Sequence, residues 1–392
     1  MSNAAAQLQE ARQLFQNGRA MDALRVYETV LQSDPDNLEA LNIVGISCVS
    51  RGDDARGLML LERATKLAPD AFVARLYRGQ ALERRGDREA AFRQYLRSIK
   101  AAQGTGQWRN AATTNPGLRP LVEHAIAFVT EQRREMFTRV FEGLATRFGA
   151  SELARVRECL QVYLGERPAQ MPDGRQRPRD LYFQGLPTTP YFDRSLFGWV
   201  EAFESHTAAI RDDLREVMRA GSGAEAVFGT DELARENLKG ASPKWDGYYF
   251  YRHGQKREDN CARCPRATRA LELAPLMHVR DLGPEVMFSF LAAGTHLLPH
   301  HGVTNTRIVV HLPLIVPADC ALRVGGELHA WQEGRLVFFD DTYEHEAWNR
   351  SGEMRVVLIM DCWNPHLTET ERVASSELMA AIGDFDHAST VE

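Results

Sequence analysis

Cysteine is scarce, six in 392 residues. That is too few for a disulfide-built scaffold. Cys48, Cys159, Cys320 and Cys362 stand singly in apolar surroundings, as buried free thiols do. Long apolar runs are also missing: no stretch approaches the roughly 18 residues needed to cross a bilayer, so no membrane span is expected. The opening MSNAAAQLQEARQLF lacks a basic segment followed by an apolar one, so no secretory signal is expected and the reducing cytoplasm is the expected compartment. Basic charge is not in excess, with 47 Lys and Arg against 53 Asp and Glu and a formal charge of −6. A nucleic-acid surface and a polybasic membrane patch are therefore not expected. What remains is 44% hydrophobic and 26% charged, ordinary for a globular chain of two or three domains.

The first hundred residues repeat. Gly18, Gly52 and Gly86 are spaced by 34, as are Ala23, Gly57 and Ala91, and Tyr27, Leu61 and Tyr95; Pro35 and Pro69 keep the period. The pattern resembles the tetratricopeptide repeat. Glycine fits the turn between two helices, a small residue lets the helices approach closely, and proline stops the second helix. Residues 119–147, with apolar side chains at helical spacing from Leu121 to Leu144, are expected to cap the stack. ERPAQMPDGRQRPRD reads as a linker, and 196–219 as one amphipathic helix. From about residue 246, GYYFYR, EVMFSFL, RIVVHLPLIV, RLVFFD and MRVVLIMDCW alternate with turn signals. Such short strands without intervening helices predict an antiparallel sandwich or barrel.

Four of the twelve histidines, His296, His300, His301 and His311, fall in this β-rich part, and His345 precedes a later strand. The familiar signatures fail. His345-Glu-Ala-Trp-Asn349 is not H-E-x-x-H. Cys261-x-x-Cys264 has no second pair for a zinc ribbon. There is no phosphate loop, dinucleotide fingerprint or nucleophile elbow. A histidine pair about 45 residues apart on a small barrel suits iron among other metals.

The run from GTHLLPHHGVTNTRIVVHLPLIV to FFDDTYEHEAWNRSGEMRVVLIMDCW resembles the aspartyl/asparaginyl β-hydroxylase family, over roughly residues 175–375. The resemblance implies a double-stranded β-helix, a cupin-like jelly roll with flanking helices, that uses Fe(II), 2-oxoglutarate and O₂. The expected architecture is thus α+β and multidomain: an all-α tetratricopeptide-like superhelix at 1–105, a helical cap and linker at 106–174, and the β-helix domain at 175–392. His300 and His345 resemble the iron ligands. Gly302 stands where most such oxygenases place a carboxylate ligand, and the family is similar in carrying glycine there. Arg355 resembles the arginine that takes the distal carboxylate of 2-oxoglutarate, a task for a bidentate, always-charged fork. Ser289, His311 and Arg307 match further cosubstrate positions. Val309 stands where relatives commonly carry another arginine. Tyr251, Asp340 and Asp341 are expected to contact substrate. Cys261 and Cys264 match a disulfide loop of secretory relatives only in part and are expected to be free thiols.

The leading expectation is hydroxylation of an Asp or Asn β-carbon in a protein or peptide held by the repeats. A free or carrier-tethered amino acid, or another small molecule, is the second reading. A repeat scaffold with a degenerate, non-catalytic barrel is the third.

Overall fold

The computed structural model describes residues 3–221 and 223–387, so the outer bounds expected for the domains, residues 1 and 392, lie outside the described residues. The chain forms two compact units, one reaching to Met136 and including the chain from Asp384, the other spanning Phe137–Gly383.

In the first unit, helices α1 (Asn3–Gln16), α2 (Ala20–Ser33), α3 (Leu38–Ser50), α4 (Asp54–Leu67), α5 (Phe72–Arg84) and α6 (Arg88–Gly104) pack in consecutive pairs. Gly18, Gly52 and Gly86 turn the chain inside each pair at φ of +74°, +88° and +84°. Asp53 and Asp87 follow two of these glycines and cap the next helix by accepting from the backbone N–H of Arg56 and Ala90. Ala23, Tyr27, Leu61, Ala91 and Tyr95 are buried, as the repeat predicts. At Gly57 an added Cβ would stand 2.4 Å from Val49 Cγ2 and 3.2 Å from the Gly45 carbonyl. Gly57→Val is therefore expected to destabilise the array by about 1–3 kcal/mol, read as a lower melting temperature of the helical signal. Helix α7 (Arg119–Phe148) begins in this unit. His124 bonds Glu83 at 2.8 Å, and the Phe128 ring lies 5.5 Å from Tyr95, so the start of α7 packs on the last repeat.

The second unit holds the rest of α7, then α8 (Ala154–Tyr163), α9 (Val200–Glu204) and α10 (Thr207–Ala220). The helix expected over 196–219 is thus split at Ser205–His206. The Glu204 carboxylate there is engaged by Arg194 and the Leu336 N–H. Next come β1 (Glu225–Ala226), α11 (Asp231–Asn237), β2 (Leu238–Lys239), β3 (Trp245–Arg252) and β4 (Gln255–Lys256). Helices α12 (Glu258–Arg263) and α13 (Pro265–Leu271) interrupt the strands, contrary to the helix-free reading of this stretch. Pro265 opens α13, and buried Asp213 of α10 accepts from the N–H groups of Arg266 and Ala267, both at 2.8 Å. This cap comes from more than 50 residues away and leaves no local signature. Then follow β5 (Val286–Leu291), β6 (Thr295–His300), β7 (Arg307–Ile315), β8 (Cys320–Val324), β9 (Glu327–His329), β10 (Val337–Phe339), β11 (His345–Asn349), β12 (Arg355–Trp363) and α14 (Glu369–His387).

The strands make two antiparallel sheets, β1-β3-β5-β12-β7-β10 with β4 beside β3, and β2-β6-β11-β8-β9. The larger sheet separates its residues by parity. Phe288, Phe290, Val310, Leu312, Val356, Leu358 and Met360 pack with Ile210, Leu214 and Ala267 of the helices. The opposite parity of β7 and β12 supplies Val309 and Ile359, which pack with Leu322, Val324 and Ala347 of the smaller sheet. Polar side chains with functional potential lie on this second face. Among the described residues, no helix is long and apolar enough to cross a membrane.

The stretch read as a linker is instead fixed along this unit. Gln176 bridges Tyr343, and Leu181 bridges Thr304. The N–H groups of Arg177 and Arg179 donate to Thr342 O at 2.7 Å and Gly302 O at 3.1 Å.

Candidate active site

The pairing of β6 with β11 places His300 directly across from His345, with ring centroids 4.0 Å apart. His300 Nδ1 lies 2.8 Å from Leu298 O, and His345 Nδ1 lies 3.0 Å from Tyr343 O. A carbonyl only accepts, so each Nδ1 carries the proton and each Nε2 keeps a free lone pair. This is the tautomer of a metal-binding imidazole. Burial lowers the pKa of both, that of His345 to about 4, so both rings are neutral near pH 7. Among the described residues, no group of three or more His, Cys, Asp or Glu is placed to hold a metal.

Gly302 lies against the Asp341 carboxylate. A Cβ there would stand 2.1 Å from the Asp341 Cγ. The space is filled from across the site by the Asp341 carboxylate, whose Oδ2 accepts from Arg307 and whose buried Oδ1 has no hydrogen-bond partner. Arg307 is half-buried between Asp341 and Asp361, its Nη1 2.9 Å from Asp361 Oδ2, and these carboxylates hold its pKa above the usual value against the opposing effect of burial. The structure thus engages Arg307 with protein carboxylates. Asp361 and the tautomer-setting carbonyls were not visible to sequence reasoning, although an aspartate in an otherwise apolar strand is a legible oddity.

Arg355 opens β12 and is 3% exposed. Burial depresses its pKa to about 10, and its Nε and Nη1 make no hydrogen bond. Its guanidinium carbon lies 4.8 Å from the centroid of the Trp331 ring. Ser289 is two pairs along β5 and accepts from Trp245 Nε1 at 2.8 Å. His311 of β7 lies 5.7 Å from Trp331 and 5.0 Å from Phe339, which is itself 5.7 Å from His345. Burial, then Arg355 and His345, keep His311 neutral, and its Nδ1 has no partner. A buried cation with unmet donors thus connects through packed rings to a half-buried histidine pair. The arrangement fits an oxyanion that also reaches a metal.

Two expected substrate residues stand elsewhere. An irregularity in β3 between Tyr249 and Tyr251 pairs Tyr251 with Val286 and packs it on the helix-facing core. Asp340 is buried with both oxygens in use, Oδ1 by the Thr342 N–H at 2.9 Å and Oδ2 by Gln176 at 2.6 Å, so it holds the turn after β10. Asp341 remains at the site, facing Gly302. Val309 packs in the apolar layer between the sheets, and Cys261 and Cys264 are free and buried, as expected.

Below the site, Glu285 donates its backbone N–H to Asp361 Oδ2 at 3.0 Å. Burial, as the main cause, raises the Glu285 carboxyl pKa from 4.5 to about 7. An acid whose pKa is higher folded than unfolded stabilises the fold when protonated. That stability is full below about pH 4.5 and is lost as pH rises through about 7. Glu285→Gln is expected to flatten urea-unfolding stability over this window, by at most about 3 kcal/mol.

The site is thus a histidine pair and a buried arginine between two antiparallel sheets, and comparison with known proteins gives the family. The profile of the Aspartyl/Asparaginyl beta-hydroxylase family matches residues 204–365, and a tetratricopeptide profile matches 8–58 and 50–106. The chain is 31% identical over 243 residues to mouse (Mus musculus) aspartate beta-hydroxylase domain-containing protein 2, covering 60% of this chain and 68% of that one. It is 33% identical over 199 residues to human (Homo sapiens) aspartyl/asparaginyl beta-hydroxylase, covering 50% and 25%. It is 33% identical over 189 residues to the ornithine lipid ester-linked acyl 2-hydroxylase of Rhizobium tropici, covering 47% and 64%. The chain belongs to the aspartyl/asparaginyl β-hydroxylase family, with a tetratricopeptide array ahead of the matched region. It spans only a quarter of the human protein and 63% of the Xenopus tropicalis form of domain-containing protein 2.

Proposed function

We propose that this chain is a cytoplasmic Fe(II)- and 2-oxoglutarate-dependent dioxygenase. It hydroxylates an unactivated C–H, the β-carbon of an Asp or Asn residue in a protein or peptide recruited by the repeats. The facing sheets are read as a double-stranded β-helix. One observation carries the reading: a tautomer-fixed pair of imidazoles shares the layer between the sheets with a buried guanidinium that has unmet donors. His300 and His345 would hold the metal, and Arg355, with Ser289 and His311, would hold 2-oxoglutarate. Metal, cosubstrate and O₂ together supply an oxidant strong enough for an aliphatic C–H, coupled to loss of CO₂ and formation of succinate.

The chain's own residues orient and shield. The carbonyls of Leu298 and Tyr343 hold the Nδ1 protons, so the Nε2 atoms would be the ones offered to a metal. Asp341, held by Arg307, offers an acceptor where a third ligand would otherwise stand. The Trp331, Phe339 and Val309 side chains exclude water from the cosubstrate end, while the half-buried imidazoles leave the reacting end open to a side chain on another molecule.

A second reading keeps the chemistry and changes the substrate to a small molecule or lipid. It is favoured by the similarity to a relative named as a lipid acyl 2-hydroxylase. The intact donor set argues against a degenerate, non-catalytic barrel. Succinate release should be measured with Asp- and Asn-containing peptides, free amino acids and lipid extracts, followed by mass analysis for a gain of one oxygen. A peptide product supports the first reading. Product only from small molecules or lipids supports the second, and no succinate with any substrate defeats both.

A further inference from the structure

Resting on the cosubstrate reading above, we propose that Trp331 is a positioning residue for the 2-oxoglutarate carboxylate, its ring holding the Arg355 guanidinium and its indole N–H adding a further buried donor beside it. Trp331 lies in the loop between β9 and β10 and is half-buried. Its ring is 4.8 Å from the Arg355 guanidinium carbon and 5.7 Å from the His311 ring. Its Nε1 is buried without a hydrogen-bond partner, as are Nε and Nη1 of Arg355 and Nδ1 of His311.

Indole and guanidinium are donors only, and a carboxylate presents about four acceptor sites. Clustered unmet donors in a buried place each carry a desolvation cost that an oxyanion would remove. Packing alone does not account for this residue, because Phe or Leu would fill the layer without stranding an N–H. Another indole at this face provides the contrast: Trp245 satisfies its N–H on Ser289 Oγ at 2.8 Å. The two contributions of Trp331 are also separable. Phenylalanine keeps an aromatic face for the guanidinium and loses the donor, whereas leucine loses both.

The test uses the full chain loaded with Mn(II) in place of Fe(II), so that nothing turns over, and titrates 2-oxoglutarate by calorimetry. Trp331→Phe is expected to weaken 2-oxoglutarate binding roughly tenfold, the scale of a hydrogen bond to a charged group. Trp331→Leu should weaken it by about threefold more through the lost cation–π contact. Mn(II) affinity measured without 2-oxoglutarate should not change. Wild-type 2-oxoglutarate affinity in Trp331→Phe overturns the donor role, and loss of Mn(II) binding in that variant marks a structural residue and overturns it too. Arg355→Ala in the same assay separates the two levels. If it binds 2-oxoglutarate normally, the cosubstrate reading itself falls and Trp331 with it. If it fails while Trp331→Phe does not, only the Trp331 inference falls.

Discussion

Arg355→Ala is expected to raise the 2-oxoglutarate requirement by about 30-fold to several thousand-fold, the range for removing one partner of a buried, hydrogen-bonded charge pair, roughly 2–5 kcal/mol. The effect should be large because water cannot substitute: the residue is 3% exposed. The cation is present to be lost, since a pKa of about 10 leaves it protonated near neutral pH. Metal affinity without cosubstrate should be nearly unchanged, because the histidine pair is positioned by β6 and β11 rather than by β12. Lysine should rescue poorly, for want of the planar fork. Steady-state dependence on 2-oxoglutarate, with metal binding measured separately, checks both parts. An unchanged 2-oxoglutarate dependence would remove Arg355 from the site.

His345→Ala is expected to abolish turnover and to reduce metal affinity by more than the roughly 10–100-fold typical of losing a hydrogen-bond partner behind a ligand. In the proposed two-histidine site, the loss is half of the donor set. His301 follows His300 in sequence, but the residue paired across the sheet with His345 is His300. His301→Ala should therefore keep metal binding. Equilibrium dialysis with Mn(II) and metal content after purification measure the difference, and a metal-free His301→Ala with a loaded His300→Ala would reverse the assignment.

The repeats were legible because a 34-residue period carries its own register, and the glycine turns and buried columns fall where it puts them. The resemblance singles out His300, His345 and Arg355, and in the structure His300 faces His345 while Arg355 lies against Trp331. Tyr251 was misread because one irregular residue in β3 moves it to the other face, a parity change that strand patterning does not reveal. Asp340 and Asp341 are adjacent and chemically identical in the sequence. Only the turn decides that one is consumed by Thr342 and Gln176 while the other faces Gly302. The supposed linker was misjudged on composition, since Pro and Arg content says nothing of backbone pairing to Gly302, Val303 and Thr342. The paired alternation in β7 and β12, Arg307-Val309-His311 and Arg355-Val357-Ile359-Asp361, was the unused signal: charged and titratable groups share one face of otherwise apolar strands.

The carboxylate lying over Gly302 bears on how such a site can change over generations. A descendant that acquired a carboxylate at 302 by one substitution would drive its Cβ into Asp341, at 2.1 Å. One that first lost Asp341 would leave Arg307 short of a counterion and a hole beside the histidines. Either order disturbs the Asp341–Arg307 pair. The two positions therefore bear on each other sterically. With bare backbone at 302 and aspartate at 341, a carboxylate at 302 is admitted only if the Asp341 side chain first moves aside.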